Sequence, residues 1–367
     1  MNKTKILITG ANGFIGKNLV ARLNTMGNYD VIEYTLESTA SQLEKAIVES
    51  AFIFHLAGIN RPSEASEFYT GNADLTQQIV DILLKYNLVT PILLTSTIQV
   101  GNGSDYAKSK EQAEQTIEAY GQVTQAPIYI YRLPGVFGKW SKPNYNTVVA
   151  TFCHNITREL PITISNPDSP IALTYIDDVV DAFIATMQQQ QQIDITAIYD
   201  TTVGQLADKI QGFRAMRTHN QVNVFADDLT VKLYATYLSF LPKEQFGYDL
   251  TMHTDSRGSF SEFLRIQDGG QISINVTKPG ISKGNHWHDT KNEKFLVVAG
   301  QAEVQFRKYN TTEIIRYTVS GDQLKVIDIP TGYIHSIKNI GDTDMVMVIW
   351  ASEWFEPSRP DTHAEEI

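Results

Sequence analysis

Cysteine is almost missing from this sequence, which holds a single one, Cys153, among 367 residues. A lone cysteine cannot close a disulfide within the chain, and it cannot provide the several thiolates of a zinc finger. Hydrophobic residues nevertheless make up 42% of the chain and charged residues 19%, a composition typical of globular proteins. The sequence therefore predicts a protein that folds around hydrophobic cores without disulfides.

Long hydrophobic runs and an excess of positive charge are also missing. No stretch reaches the roughly 18 consecutive apolar residues of a membrane span, and the opening MNKTKILITGANGF has the pattern of a strand leading into glycines, not of a signal peptide. Lys and Arg number 30 against 41 Asp and Glu, which gives a net charge of −11. We therefore expect a cytoplasmic protein that neither inserts into membranes nor binds nucleic acid.

Two different orders of secondary structure follow each other along the chain. Up to about residue 200, strand-like runs such as KILITG, AFIFHLAG and PILLTST alternate with helical patterns, which predicts a doubly wound parallel sheet of the Rossmann type. After LPKEQFGYDL, strand-like runs recur about every ten residues between turn residues, which predicts an antiparallel sandwich or barrel. The predicted domains are an α/β domain, residues 1–244, and an all-β domain, residues 245–367.

The segment TGANGFIG places Gly10, Gly13 and Gly16 between a predicted strand and an amphipathic helix. Backbone amides and the helix N-terminus can approach a pyrophosphate closely at such a turn. The spacing differs from G-x-G-x-x-G and resembles the extended short-chain dehydrogenase/reductase family. Further segments resemble that family's pattern in the same order: HLAG (55–58), LLTST (93–97), YAKSK (106–110), RLPGVFG (132–138) and TYIDDVVDAF (174–183).

Tyr106 and Lys110 lie four residues apart, so a helix brings them to one face. The free tyrosine pKa is about 10, and we expect Lys110 to lower it so that Tyr106 can transfer a proton during hydride transfer. The resemblance implies that Thr97 binds the substrate oxygen, with Ser96 as the alternative. It implies cofactor binding by Thr9, Gly10, Asn12, Gly13, Phe14, Ile15, Gly16, Thr35, Leu56, Ala57, Tyr106, Lys110 and Pro134.

The predicted second strand ends in Thr35, where an NAD enzyme usually carries an acid for the ribose 2′-hydroxyl. Glu33 lies two residues earlier, and no arginine stands at the site. Because no acid at the strand end repels a 2′-phosphate, we expect NADPH as the cofactor.

Two segments of the second half resemble the paired motifs of the cupin superfamily, whose fold is a jelly-roll β-barrel. They are G-x5-H-x-H-x4-E-x6-G, with Gly280, His286, His288, Glu293 and Gly300, and P-x-G-x2-H-x3-N, with Pro330, Gly332, His335 and Asn339. Three imidazoles and a carboxylate suit Zn, Fe, Mn or Ni, and we expect Zn²⁺ at His286, His288, Glu293 and His335. The alternative is a metal-free cupin that uses its histidines directly.

The segment DSRGSFSEF (255–263) resembles the D-x-R-G-x-F-x-E segment of nucleotide-sugar 3,5-epimerases, which are metal-independent cupins. That resemblance implies that Arg257 and Glu262 contact substrate and that a histidine placed like His286 removes a proton beside a ketone. The alternative is a surface turn held by Asp255, Arg257 and Gly258.

The whole chain resembles a family of bacterial capsular polysaccharide enzymes that join such a reductase to a cupin. The resemblance implies a UDP-linked 4-keto-6-deoxy-N-acetyl sugar as substrate, a zinc-containing cupin and a homodimer. Its cupin would epimerise C3 of UDP-2-acetamido-2,6-dideoxy-L-arabino-hexos-4-ulose, and the reductase would then use NADPH at C4 to form the L-talose sugar, a precursor of UDP-N-acetyl-L-fucosamine. The ketone makes this pairing reasonable, because it acidifies the C3 hydrogen and is itself reducible.

Two other functions remain open at this point. In one, the chain is a plain reductase whose cupin serves only substrate binding or dimerisation. In the other, the chain is a non-enzymatic NADPH sensor, although such sensors commonly lose the Tyr-x-x-x-Lys pair that Tyr106 and Lys110 form here. The base of the C3 step is also open. If the histidines bind metal they are poor bases, which leaves Lys294, Tyr333 or a metal-bound hydroxide.

Overall fold

The computed structural model describes residues 3–64, 66–223, 225, 227–358 and 360–367. It divides into two compact units, residues 1–211 with 227–242, and residues 212–226 with 243–367. The first unit is α/β and the second is all-β apart from short helical pieces. This confirms the predicted fold class of a Rossmann-type domain followed by an all-β domain. Within the described residues, no helix has the length and hydrophobicity needed to cross a bilayer.

A five-stranded parallel sheet forms the centre of the first unit. Its strands are β1 (Thr4–Thr9), β2 (Tyr29–Tyr34), β3 (Phe52–His55), β4 (Ile92–Thr97) and β5 (Ile128–Leu133), in the order β2-β1-β3-β4-β5. Successive side chains of a strand point to opposite faces, and both faces are covered: Ile53 packs in one hydrophobic core and Phe54 in another. The order reverses at β1, and a ligand cleft is expected at the carboxyl ends beside that point.

The helices of the sheet follow the strands in the predicted alternation. They are α1 (Phe14–Met26), α2 (Ala40–Glu49), α3 (Ser66–Phe68), which continues as a π-helical segment (Tyr69–Asp74), α4 (Leu75–Lys85) and α5 (Asp105–Thr124). A smaller sheet and four more helices complete the α/β part. They are β6 (Gly135–Phe137), α6 (Val148–Thr157), β7 (Pro170–Tyr175), α7 (Ile176–Gln189), β8 (Tyr199–Thr202), α8 (Val203–Thr218) and α9 (Asp228–Ser239).

Two sheets, mainly antiparallel, form the second unit. The first has the order β10-β11-β12-β19-β14-β17, with β9 (Gln221–Val222) paired in parallel to β11. Its other strands are β10 (His253–Asp255), β11 (Gly258–Ile266), β12 (Gly270–Thr277), β14 (Glu293–Ala299), β17 (Val326–Ile329) and β19 (Met345–Ala351). The second sheet, in the order β16-β15-β18-β13-β20, comprises β13 (Ser282–Trp287), β15 (Gln301–Lys308), β16 (Ile314–Ser320), β18 (Tyr333–Asn339) and β20 (His363–Ala364).

The core of this unit draws buried apolar side chains from both sheets, such as Phe295 and Met347 from the first and Val304 and Ile337 from the second. The strand β12 departs from this apolar pattern. Its buried side chains are Gln271, Ser273, Asn275 and Thr277. Because Asn275 and Thr277 pair with the core residues of β19, the polar row faces the interior, and such a row indicates a functional cavity.

Candidate active sites

The glycine turn of the first unit brings helix and strand into close contact. Gly10 has φ +70°, and a Cβ on Gly16 would lie 2.2 Å from the Gly10 carbonyl oxygen. Gly13 caps α1 without a side-chain hydrogen bond. The amides of the first helical turn therefore remain available to an anion, with the helix dipole favouring negative charge there.

The other predicted cofactor residues meet at the same edge of the sheet, because parallel strands end together there. Thr9 ends β1, Thr35 follows β2, Leu56 and Ala57 follow β3, Thr97 ends β4 and Pro134 follows β5, while Asn12, Phe14 and Ile15 belong to the glycine turn and the start of α1. Thr9 is fully buried, and its hydroxyl accepts the amide hydrogen of Ala57 at 3.2 Å. The structure thus places the residues predicted to bind the dinucleotide at or next to the carboxyl edge of one sheet.

Tyr106 and Thr97, the predicted catalytic hydroxyls, lie close to each other at the carboxyl edge of the sheet. The Thr97 hydroxyl acts on the pKa of Tyr106, and the Phe68 ring lies 5.6 Å from the Tyr106 ring, centroid to centroid. Burial raises the pKa of Tyr106, and the Thr97 hydroxyl opposes this only partly. Lys110 is not among the groups that shift this pKa, so the expected lowering by Lys110 stays a prediction. Ser96, the alternative to Thr97, alternates to the other face of β4.

Lys110 is 5% exposed and donates a hydrogen bond to the backbone oxygen of Thr95 at 3.1 Å. Burial lowers its pKa to about 8, and the carboxylate of Glu114 acts in the opposite direction. Glu114 is itself held by Arg132, with Nη2 to Oε2 at 2.6 Å. A Cβ on Gly58 would lie 2.8 Å from the Lys110 ammonium, so the glycine of HLAG leaves room for this side chain.

Sequence reasoning missed a hydrogen-bond chain centred on His55. The Thr76 hydroxyl donates to the backbone oxygen of Asn72 at 2.6 Å, so it accepts from His55 Nε2 at 2.9 Å. The Thr9 hydroxyl then donates to Nδ1 at 2.7 Å. Burial lowers the pKa of His55 to about 3, so the ring is neutral with both nitrogens paired. The histidine of HLAG could have been noticed, but Thr76 lies too far along the chain for any local pattern.

The four predicted metal ligands of the second unit converge. One ligand atom from each of His286, His288, Glu293 and His335 lies within 4.8 Å of those of the others. His286 and His335 are paired residues of β13 and β18, with ring centroids 4.5 Å apart. The Glu293 carboxylate lies 3.4 Å from His288 Nε2 and 3.5 Å from His335 Nε2. These distances suit the ligands of one cation.

The tautomers of two of these histidines leave lone pairs pointing at the cluster. His288 Nδ1 contacts the Asp361 backbone oxygen at 2.5 Å and His335 Nδ1 the Tyr333 backbone oxygen at 3.4 Å, and a carbonyl can only accept. Each Nδ1 therefore carries the hydrogen. Both Nε2 atoms are buried and have no hydrogen-bond partner among the described residues. Two lone pairs facing a carboxylate lack a positive partner, and a divalent cation fits that need.

His286 is also suited to remain neutral. Burial, followed by the charges of His335 and His288, lowers its pKa to about 4, although Glu293 acts in the opposite direction. A neutral imidazole is the form that binds a metal ion. All four predicted ligands thus fit a Zn²⁺ donor set of three nitrogens and one oxygen.

The candidate bases occupy different places. Glu293 and Lys294 are neighbours on β14 and point to opposite faces, and Lys294 is exposed, where its ammonium pairs with Asp328. Lys294 is therefore wrong as a base at the cluster. Tyr333 is two residues from His335 on β18 and shares its face. It remains a candidate.

A cavity of about 540 Å³ lies in the second unit. It is lined by Met252, His253, Thr254, Asp255, Arg257, Gly258, Ser259, Phe260, Asn275 and Lys283. Arg257, a predicted substrate ligand, donates two hydrogen bonds to the Asp255 carboxylate, at 2.9 and 2.6 Å. Glu262, the other one, is not among these residues and instead accepts from Arg265 Nε at 2.6 Å. The structure thus separates the two predicted substrate ligands.

Lys283 is a cavity residue that sequence reasoning missed. Its ammonium donates to the Asn275 side chain at 2.8 Å and to the Val276 backbone oxygen at 2.9 Å. A β-bulge between Gly284 and His286 places Lys283 on the same inner face as His286, about 10 Å away along β13. One residue of the cavity lining therefore lies on the strand that carries His286 and on the same face of it.

Comparisons with known proteins match the α/β part and the all-β part of the chain to two different family models. Residues 6–200 match the family model described as the NAD dependent epimerase/dehydratase family, and residues 253–363 match the polysaccharide biosynthesis C-terminal domain. The chain is 42% identical over 364 residues to a UDP-2-acetamido-2,6-beta-L-arabino-hexul-4-ose reductase of Pseudomonas aeruginosa, covering 98% of each chain.

Among solved structures, the capsular polysaccharide assembling protein CapF from Staphylococcus aureus superposes with a TM-score of 0.94. It is 43% identical, and the match covers 99% of this chain and 100% of that one. A UDP-glucuronic acid 4-epimerase from Bacillus cereus, in complex with NAD, has a TM-score of 0.55 at 18% identity, over 65% of this chain and 96% of that one. This more distant likeness concerns the fold alone.

Proposed function

The chain belongs to the NAD-dependent epimerase/dehydratase family, and we propose that it converts a UDP-linked 4-keto-6-deoxy-N-acetyl sugar in two steps. In the first, the all-β second unit, here called the β domain, inverts C3 of UDP-2-acetamido-2,6-dideoxy-L-arabino-hexos-4-ulose. In the second, the Rossmann domain reduces the C4 ketone with NADPH to the L-talose sugar. The P. aeruginosa relative, named as a reductase of a sugar of this class, supports this substrate.

The reductive step rests on one observation above all: Tyr106 and Thr97 lie close enough at the carboxyl edge of the sheet for the Thr97 hydroxyl to act on the pKa of Tyr106. A bound nicotinamide supplies the hydride for C4. Tyr106 donates the proton to O4, Thr97 binds the same oxygen, and Lys110 would hold the nicotinamide ribose. Tyr106 is protonated at neutral pH, since burial raises its pKa above the ordinary value, so its hydroxyl carries the proton that this step needs.

NADPH is proposed over NADH from the end of β2. Thr35 stands where an acid would repel a 2′-phosphate, and its hydroxyl accepts the amide hydrogen of Glu37 at 3.3 Å. We expect a higher kcat/KM with NADPH than with NADH. Equal values for the two cofactors would contradict this proposal.

The epimerisation is proposed from the cluster of His286, His288, Glu293 and His335, which would hold Zn²⁺. Zinc bound there would supply a Lewis acid that stabilises an enolate, while a base, for which Tyr333 is the remaining side-chain candidate, would take the C3 proton. Arg257, paired with Asp255, and Lys283 line the cavity of the same unit, where their cations would suit the diphosphate of a nucleotide sugar. Reprotonation on the opposite face of the enolate completes the inversion.

A single incubation tests both steps. The UDP-linked 4-keto-6-deoxy-N-acetyl sugar is supplied in D₂O, with and without NADPH, and C3 deuterium and the reduced product are followed. Without NADPH we expect deuterium at C3, and with NADPH a reduced sugar that carries it. Reduction without C3 exchange would instead identify a plain reductase whose β domain serves binding or dimerisation.

The resemblance to capsular polysaccharide enzymes also supports a homodimer, which we propose on that ground. Light scattering on the eluted protein measures it directly, with twice the mass of the 41.1 kDa chain as the expected value.

A further inference from the structure

The segment of residues 360–367 borders β13, the strand that contains His286 and ends just before His288. Its strand β20 pairs with β13, with Ala364 opposite His286 and His363 opposite Trp287. The Trp287 and His363 rings stack with centroids 4.4 Å apart. The candidate metal ligand His286 is therefore held by a segment that is distant along the chain.

Asp361 in this segment fixes the loop that follows His288. Its carboxylate accepts the amide hydrogens of Asp289, Thr290 and Lys291 at 2.8, 2.7 and 2.7 Å, and the Thr290 hydroxyl at 3.0 Å. Four donors on two oxygens hold three successive backbone amides in one orientation. This loop leads from His288 to Glu293, so both ends of it are candidate metal ligands.

The backbone of the same residue fixes His288. The Asp361 carbonyl oxygen accepts from Nδ1, which leaves the lone pair of His288 on Nε2. The side chain and the carbonyl belong to one residue, so the loop contacts and the histidine contact cannot move independently. Displacing the carboxylate displaces the acceptor that sets the histidine tautomer.

We propose that Asp361 is a positioning residue for the metal centre, one that sets the cation affinity of His288 without touching the cation. This inference rests on the proposed metal centre. Asp289, Asp361 and His363 also form a grouping with metal-ligand geometry. A cation there would compete with the four hydrogen bonds that the Asp361 carboxylate already accepts, so we assign Asp361 to positioning.

The other end of the segment is tied to the sheet independently of Asp361. Arg307 of β15 donates to the Glu365 carboxylate and to the Glu366 backbone oxygen, both at 2.8 Å. Loss of the Asp361 carboxylate therefore leaves β20 anchored. A substitution at Asp361 is expected to loosen the loop and His288 locally, without unfolding the β domain.

Zinc titration of the full chain tests the proposal, with Asp361→Asn compared with Asp289→Asn. Each variant loses one negative charge that faces His363. Only the Asp361 carboxylate binds the loop amides. We expect the zinc Kd, measured by competition with a chromophoric chelator, to rise about 10–100-fold in Asp361→Asn. In Asp289→Asn we expect a change below about threefold.

Two further readouts separate positioning from a general loss of stability. We expect the two metal-free variants to melt at similar temperatures, with zinc raising the melting temperature less in Asp361→Asn. We also expect the Co²⁺ d–d spectrum at saturation to change in Asp361→Asn only. If this variant does not fold, Asp361→Glu replaces it, with the same expected loss.

Equal zinc affinity and equal Co²⁺ spectra in the two variants would overturn the assignment of Asp361 while leaving the metal centre intact. Absence of zinc binding to the unsubstituted chain would overturn both the metal centre and this inference. The two failures are therefore distinguishable in one titration series.

Discussion

Buried histidines occur in both domains, and they differ in whether both ring nitrogens have a hydrogen-bond partner. His55 of the Rossmann domain has both ring nitrogens paired, one to Thr9 and one to Thr76. His288 and His335 of the β domain each use Nδ1 for a backbone carbonyl, and their Nε2 atoms have no hydrogen-bond partner in the described part of the chain. All three side chains are at most 1% exposed, so burial alone does not separate them.

The difference identifies which histidine holds the fold and which awaits a ligand. A buried polar atom without a partner costs free energy, and the cost persists unless binding satisfies the atom. His55 has no such deficit, and its two hydrogen bonds join the ends of β1 and β3 to helix α4. The two deficits in the β domain point at the same carboxylate, Glu293, which makes a cation the simplest partner for all three groups.

The largest expected effect separates the two sites through Tyr106. Replacing Tyr106 by phenylalanine removes the proton donor, and we expect kcat for NADPH oxidation with the 4-keto sugar to fall about 10²–10⁴-fold. C3 exchange in D₂O is expected to continue, since the β domain carries that step.

Tyr120→Phe is the matched control, because it makes the same change on the same helix. The Tyr120 hydroxyl donates to the backbone oxygens of Leu88 and Thr90, away from the cleft. We expect lower stability and near-normal turnover. Unchanged NADPH oxidation in Tyr106→Phe would contradict the proposed acid.

The next effect concerns Glu293, the carboxylate that both unpaired nitrogens face. Glu293→Gln removes the negative ligand, and we expect zinc affinity to fall by at least about 100-fold, since even residues outside the ligand set change it 10–100-fold. C3 exchange should be lost together with the metal, while NADPH binding stays. Isothermal titration with zinc and with NADPH measures both.

Glu303→Gln on β15 serves as the control for that change. Glu303 is partly exposed and interacts with Gln305 and Arg316 at the surface of the sheet. We expect normal zinc binding. Normal zinc binding by Glu293→Gln would contradict the conclusion that the unpaired histidine nitrogens and Glu293 bind a common cation.

The sequence predicted these two clusters where their members repeat at short, regular spacing. Tyr106 and Lys110 are one helical turn apart, and His286, His288 and Glu293 lie within eight residues, so their grouping follows from local geometry. Asp361 lies 73 residues from His288, and no local pattern links them. The pairing of β9 with β11 was also beyond prediction, because a two-residue strand has no periodicity.

Side-chain direction explains the remaining successes and failures. Alternation along β14 places Lys294 outside once Glu293 is inside, so this candidate base could have been rejected from the sequence. Lys283 behaves in the opposite way. Regular alternation would put it on the face opposite to His286, and only the bulge at Gly284 brings both inside. Bulges of this kind depend on tertiary packing and are rarely visible in a single sequence.

Lys283 provides a smaller, third effect that tests whether the cavity and the metal cluster form one site. Lys283→Met keeps much of the side-chain volume and removes the ammonium, and we expect KM for C3 exchange to rise about 10-fold, as for one charge-assisted hydrogen bond. Zinc affinity should not change. Lys278→Met, which removes an exposed partner of Asp344, is the control. An unchanged KM in Lys283→Met would place the substrate elsewhere.

The smallest effect concerns His55 and is measured as a dependence of stability on pH. Its folded-state pKa of about 3 lies below the ordinary value of 6.5. Between these values the unfolded chain binds a proton that the folded chain does not, so His55 makes the protein less stable as the pH falls below about 6.5. His55→Gln removes this term. The stability difference between the unsubstituted chain and the variant should therefore shrink by about 1.4 kcal/mol for each pH unit below 6.5.

Urea unfolding of the metal-free proteins between pH 7.5 and 5.5 measures this slope, with His219→Gln, at an exposed position, as the control. Parallel curves for the unsubstituted chain and His55→Gln would mean that His55 accepts a proton in the folded state, and its contrast with the two unpaired histidines would then fail.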